Sequence, residues 1–219
     1  MISRRKIMDF QRARTKEQVE TRVEEIVQAC KSIYEEQGYD AVNIKTVSEK
    51  ISCTRPAIYK YFKTKEEIMM ELLKREYLSW KEELEMLFSK KERLSKEEYC
   101  LYLTKSMSHR LLLMDLMSNH LDSIENGTRL ERLIEFKKNV ALFFEMFRQY
   151  LELFFPNTSL EKRKIFEKSF IVFLHGLYPS IKHSPKQIEA MLQAGMNYQE
   201  PDFMKICQNG LFLLASDLK

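Results

Sequence analysis

The sequence predicts an all-α protein with a small N-terminal helical domain and a larger C-terminal one. Three observations lead there. Glycine and proline each occur only 5 times in 219 residues, too few for the tight turns that hairpins need. Apolar residues recur at spacings of three and four along most of the chain, which is the helical period. Nowhere does a run alternate apolar and polar residues as a half-buried strand does.

The elements follow in order. Thr15, Lys16, Glu17 and Gln18 precede apolar residues at Val19, Val23, Ile26, Val27, Cys30, Ile33 and Tyr34, a helical spacing, and Gly38 supplies a left-handed stop. Asn43 is a good N-cap for a short second helix carrying Ile44, Val47 and Ile51. Ser52 and Cys53 form a tight turn. Thr54 caps a third helix over residues 54–62 with Pro56 in its first turn, where a missing N–H costs nothing. Thr64 and Glu67 stand at capping-box spacing and open a fourth helix from 65 to about 88. Further helices are expected over 95–123, 128–155, 160–182, 185–197 and 201–217, with breaks at Asn126-Gly127, Pro156-Asn157, the stretch from Pro179 to Pro185, and Pro201.

Composition excludes several classes. The chain is 44% hydrophobic and 31% charged, ordinary for a globular protein. No apolar run approaches the ~18 residues that a membrane helix needs, so no membrane partner is expected. Residues 1–16 are basic but lack the apolar core of a secretory signal. Cys30, Cys53, Cys100 and Cys207 form no CxxC motif and read as reduced thiols of a cytoplasmic protein. His109, His120, His175 and His183 make no HExxH or HxxxH pair, so neither a metal nor a cofactor is expected. There is no nucleophile elbow and no phosphate loop, and the protein is expected not to be an enzyme.

Charge is unevenly placed. Residues 1–65 hold 14 Lys and Arg against 9 Asp and Glu, whereas residues 66–219 hold 22 against 23. Within the first third, residues 1–16 and 45–65 each carry 6 basic against 1 acidic, and residues 17–44 carry 2 against 7. Two basic segments flanking an acidic helix suit a polyanion held at two places. The same charges also suit a solvated tail and surface.

A short helix, a tight turn and a second short helix describe the DNA-binding helix-turn-helix, whose second helix enters the major groove. In that helix Ala57, Ile58 and Phe62 point inward. Arg55, Pro56, Lys60 and Tyr61 point outward, with Tyr59 at the edge. Cationic and hydroxyl groups on that face suit phosphates and base edges.

Residues 24–73 resemble the N-terminal domain of the TetR family of transcriptional regulators. The resemblance rests on Glu36-Gln37-Gly38-Tyr39-Asp40, on Val42-Asn43-Ile44, on Val47-Ser48-Glu49-Lys50-Ile51, and above all on the run from Ile58 through Tyr59-Lys60-Tyr61-Phe62-Lys63-Thr64-Lys65-Glu66-Glu67 to Ile68. That run is similar to the family's leucine-tyrosine-x-(tyrosine or histidine)-phenylalanine signature, followed by a hydroxyl or amide residue, lysine and glutamate. Three positions depart from the pattern. Ser52 replaces the usual turn glycine and tolerates positive φ poorly. Pro56 stands where glycine is common, and Thr46 stands at the usual acidic position of the second helix.

The resemblance implies site roles. Lys45 lies where a base or phosphate contact is often made. Thr54, Arg55, Ala57 and Lys60 face the major groove, and Arg55 has the fork to grip O6 and N7 of guanine. Tyr59 and Tyr61 match positions that bond phosphates. Lys65 opens a helix whose N-terminus itself attracts phosphate. Asn43 either bonds a phosphate or caps its helix, or does both. The arm carrying Arg4, Arg5, Lys6, Arg12 and Arg14 reaches a minor groove in this reading. The implied domains are a DNA-binding domain with its basic arm at 1–64 and a regulatory and dimerisation domain at 65–219, joined through the long fourth helix.

Residues after 80 hold 12 of the 14 phenylalanines and 8 of the 12 methionines. In the family this region forms a ligand cavity, and adaptable methionine with aromatic walls suits an apolar effector. Candidate lining residues are Met107, Leu111, Met114, Met117, Phe143, Phe147, Phe170 and Phe173; the same residues also suit a plain core. Family members dimerise through their last helices, here 160–178 and 201–216. The second carries the stripe Phe203, Ile206, Cys207, Gly210, Leu211 and Leu214, which fits either a symmetry mate or the chain's own interior. The expectation is a homodimeric repressor that a small apolar or amphipathic ligand releases from a palindromic operator. The alternative is control by a protein partner.

Overall fold

The computed structural model describes residues 16–219. Among them there is no strand, and the helices are α1 (Lys16–Gln37), α2 (Ile44–Lys50), α3 (Arg55–Ile58), α4 (Lys65–Phe88), α5 (Lys96–Ser108), α6 (Leu111–Asp115), α7 (Leu121–Asn126), α8 (Leu130–Phe154), α9 (Leu160–Ile181), α10 (Pro185–Gln193) and α11 (Phe203–Leu214). A π-helical turn, Leu116–His120, joins α6 to α7. The chain divides into two compact units between Ile68 and Met69, inside α4.

The first unit is built on α1. Ile26, Val27, Cys30, Ile33 and Tyr34 are buried, one stripe at helical spacing. Gly38 then turns the chain with φ 82° and ψ 179°, a conformation open essentially to glycine alone, though not the left-handed helical one. The Asn43 side chain accepts from the backbone N–H groups of Lys45 and Thr46, each at 3.0 Å. Thr46 Oγ1 accepts from Asn43 N–H at 3.1 Å and donates to the Ala41 carbonyl at 2.8 Å. Thr46, at the family's usual acidic position, therefore closes a reciprocal capping box.

The turn after α2 keeps its shape without glycine. Ser52 adopts φ 50°. Cys53 N–H donates to the Ser48 carbonyl at 2.9 Å and Ser52 N–H to the Glu49 carbonyl at 3.4 Å, the paired bonds of a Schellman stop. Buried Cys53 draws the chain back onto the core.

The second unit is organised by α4, whose Leu73, Tyr77, Trp80, Leu84 and Phe88 form one buried stripe. Trp80 Nε1–H donates to Ser106 Oγ on α5 at 2.7 Å. Its ring lies 4.7 Å from that of Phe143 on α8 and 6.2 Å from that of Phe170 on α9. Phe147 stacks on Phe170 at 4.9 Å. One aromatic core therefore ties α4, α5, α8 and α9 together.

Several expected boundaries move. The helix expected over 95–123 breaks at His109-Arg110, where no glycine or proline stands. The Arg110 guanidinium donates instead to Ser79 Oγ at 3.0 Å and pairs with Glu83 of α4, and that tie overrides helical continuity. The helix expected over 160–182 does form, as α9, and runs through Pro179 to Ile181. The helix expected over 185–197 stops at Gln193, before Gly195 at φ 77°.

Candidate nucleic-acid interface

The recognition element is shorter than expected. Only Arg55–Ile58 forms an α-turn. Beyond it the coil tightens, with Lys60 N–H donating to the Ala57 carbonyl at 3.4 Å and Tyr61 N–H to the Ile58 carbonyl at 2.9 Å, before Phe62 turns inward. Ile58 and Phe62 are fully buried and anchor the element. Thr54 holds the N-cap position in extended conformation, but its side chain makes no capping bond, contrary to the sequence expectation. Pro56 has no N–H to satisfy there.

Thr54, Arg55, Pro56, Tyr59 and Lys60 are exposed, and Ala57 and Tyr61 are half-buried. Tyr59, expected at the edge, is therefore more open than Tyr61, expected outward. Asn43 and Lys45 are exposed at the start of α2. Asn43 Oδ1 is committed to its cap, and Lys45 stands 4.0 Å from Glu49 in a solvent-exposed pair that contributes little. Lys65, half-buried, holds its ammonium 4.1 Å from the centre of the Tyr39 ring, a cation–π contact. The basic arm Arg4, Arg5, Lys6, Arg12 and Arg14 lies outside the described residues.

Three further residues shape this face. Glu36 binds Lys50 Nζ at 2.8 Å; that bond, with one from Ser32, holds its carboxyl below the usual range and takes Lys50 out of the set of open cations. Lys63 Nζ donates to the Tyr59 carbonyl at 2.8 Å. Glu67, with no exposed surface, accepts from Lys63 N–H at 2.7 Å, and its own N–H donates to Thr64 Oγ1 at 3.2 Å. A buried carboxylate thus clamps the loop directly after the recognition turn. The capping-box spacing announces Glu67, whereas no local signal marks the Glu36–Lys50 or Tyr39–Lys65 pairs.

In the second unit Met107, Met114, Met117, Phe143, Phe147 and Phe170 are all buried. Leu111 is 44% exposed, so it faces out of the core. Phe173 is half-buried, and a Cβ on Gly210 of α11 would stand 2.6 Å from its Cε2, so its ring fills the space that the glycine leaves. Of the two readings of the stripe, a symmetry mate or the chain's own interior, the close approach at Gly210 is made within the chain. Cys207 and Leu211 are fully buried too, while Ile206 is exposed and Phe203 and Leu214 are half-buried. The expected stripe therefore faces largely inward. Among the described residues no three His, Cys, Asp or Glu side chains gather to hold a metal, and no helix is long and apolar enough to cross a membrane.

Comparison with known proteins agrees with this architecture. Residues 26–72 match the family described as bacterial regulatory proteins, tetR family, and residues 74–216 match the tetracyclin repressor-like C-terminal domain. No curated protein matches the chain in sequence. A TetR/AcrR transcriptional regulator from Thermobifida fusca YX-ER1 superposes with a TM-score of 0.55 at 18% identity, over 87% of this chain and 98% of its own. FadR from Bacillus halodurans, a fatty acid degradation regulator, gives 0.55 at 15%, covering 88% and 94%. FadR from Bacillus subtilis, solved with stearoyl-CoA, gives 0.55 at 14%, covering 90% and 99%. At such identities these structures speak for the fold alone. The two family matches together span most of the chain, and the protein belongs to the TetR family of DNA-binding transcriptional regulators.

Proposed function

We propose that the protein is a homodimeric repressor that occupies a pseudo-palindromic operator and leaves it when an apolar or amphipathic small molecule binds the core of its second unit. The observation that carries the DNA half is the face of Thr54, Arg55, Tyr59 and Lys60, exposed beside buried Ile58 and Phe62. Arg55 reads guanine, and Tyr59, Tyr61 and Lys65 hold phosphates. The ligand half is supported by the buried methionine and phenylalanine core and by the B. subtilis FadR structure with stearoyl-CoA. Dimerisation is supported by Val172 and Leu213, 72% and 73% exposed. They lie on α9 and α11, close in sequence to the Phe173–Gly210 contact, where a symmetry mate would cover them.

Release requires that the ligand prefer the arrangement that binds DNA poorly. The continuous helix α4 is the lever in this reading. It begins at Lys65 and ends at Phe88.

The test is fluorescence anisotropy on an operator selected from random DNA. The consensus is expected to be an inverted repeat, with affinity falling steeply as salt rises. Tyr61→Ala and Lys65→Ala weaken binding to all sequences, whereas Arg55→Ala also relaxes specificity. If all three variants bind like the parent, the recognition face is misplaced. Met114→Ala, Phe147→Ala and Phe170→Ala keep operator binding and respond less to ligand. An operator complex that no small molecule releases, but that a protein from the same cell does, transfers control to a partner.

A further inference from the structure

A buried hydroxyl or indole N–H ordinarily finds a partner, because leaving it without one costs the whole of its lost hydration. In the second unit Trp80 and Tyr77 obey this: Trp80 bonds Ser106, and the Tyr77 hydroxyl meets Met117 Sδ at 3.3 Å. Tyr99 does not. It has no exposed surface, and its hydroxyl has no hydrogen-bond partner among the described residues. Its ring is surrounded by those of Phe155 at 5.3 Å, Phe88 at 5.6 Å, Phe154 at 6.1 Å, Phe166 at 6.3 Å and Phe147 at 6.5 Å.

The place in the fold matters. Phe88 is the last residue of α4, Tyr99 lies in the first turn of α5, and Phe154 is the last residue of α8 with Phe155 just beyond. Rings at helix ends make room at lower cost than rings at helix centres, because terminal turns have fewer backbone bonds to break. Burial, and then the Cys100 thiol, push the Tyr99 hydroxyl well above its ordinary ionisation range, so at neutral pH it is a donor. A carboxylate brought among these rings would lose its water at a cost that a neutral carbonyl largely escapes.

We infer that Tyr99 is the polar anchor of the effector site, its hydroxyl donating to the neutral carbonyl oxygen of a ketone, ester or thioester whose apolar chain lodges among these rings. The inference rests on the small-molecule reading above, and the experiment separates the two. Trp80 is the only tryptophan of the chain and sits in the same core, so its fluorescence reports binding. Octane, 2-octanone and octanoate are titrated into the parent and into Tyr99→Phe, which removes only the hydroxyl. The parent is expected to bind 2-octanone about fivefold more tightly than octane, the share of one neutral hydrogen bond, and to bind octanoate least. Tyr99→Phe abolishes the preference for the ketone, leaves octane affinity unchanged, and melts no lower than the parent. An unchanged ketone preference in Tyr99→Phe, a preference for octanoate, or a lowered melting temperature overturns the role of Tyr99 while leaving the small-molecule reading standing. If none of the three binds the parent, the small-molecule reading falls and takes this inference with it.

Discussion

Replacing Gly210 with alanine sets two effects of known size against each other. A methyl group there would stand 2.6 and 2.7 Å from Cε2 and Cζ of Phe173, against the roughly 3.5–4.0 Å at which carbons attract. The overlap is about 1 Å, and the ring must tilt out of the α9–α11 contact. Overpacking of this kind costs about 1–3 kcal/mol. Alanine in place of glycine inside a helix returns about 1 kcal/mol. The expected net effect is a loss of about 1 kcal/mol. Urea denaturation at fixed protein concentration reads it as a lower midpoint with unchanged slope. The sharper measurement is a double-mutant cycle with Phe173→Leu, which withdraws the end of the ring. In that background Gly210→Ala is expected to stabilise by about 1 kcal/mol, giving a coupling of about 2 kcal/mol. Stabilisation by Gly210→Ala in both backgrounds would show that Phe173 does not occupy the space the glycine leaves.

The remaining predictions concern the turn, the dimer and the thiols. Ser52→Gly relieves a left-handed conformation and is expected to raise stability by about 0.5–1 kcal/mol without changing operator affinity; a lower melting temperature counts against strain at φ 50°. Leu213→Glu is expected to give soluble, folded monomers in sedimentation, because Leu213 is open. Leu211→Glu instead unfolds the protein, since an unpaired charge would be buried at a fully enclosed position; a soluble Leu213→Glu dimer moves the interface elsewhere. Burial pushes the Cys30 thiol from an ordinary 9.0 up to about 12, against a lowering pull from Lys65, and Cys207 up to about 11. The folded state thus keeps protons that the unfolded chain loses above about pH 9, and stability is expected to fall as pH rises from there toward 12. A disulfide reagent at pH 8 is expected to label all four buried cysteines only as fast as the protein unfolds. Rapid labelling of any one in the native state would contradict its burial.

What the sequence determined by itself is what depends on near neighbours in the chain. The stripe of α1, the Asn43 cap, the extent of α4 from Lys65 to Phe88 and the buried pair Ile58 and Phe62 all follow from periodicity and capping within a turn or two. The family resemblance was legible because it lies in one short run, Ile58 to Ile68. Tertiary structure decided what depends on residues far apart. Arg110 leaves its helix to reach Ser79 and Glu83 on α4, and no breaker in the sequence announces it. The 3.6-residue period says that Phe173, Gly210 and Leu211 face something apolar, but not whether that is the chain's own α9–α11 contact or a second copy. For Phe173 and Gly210, one ring in the gap of one glycine settles it. Tyr99 likewise reads in the sequence as one more aromatic on a helix face. Only the packing of Phe88, Phe154, Phe155 and Phe166 around it deprives its hydroxyl of water, because burial is a property of the neighbours in space and not of the residue.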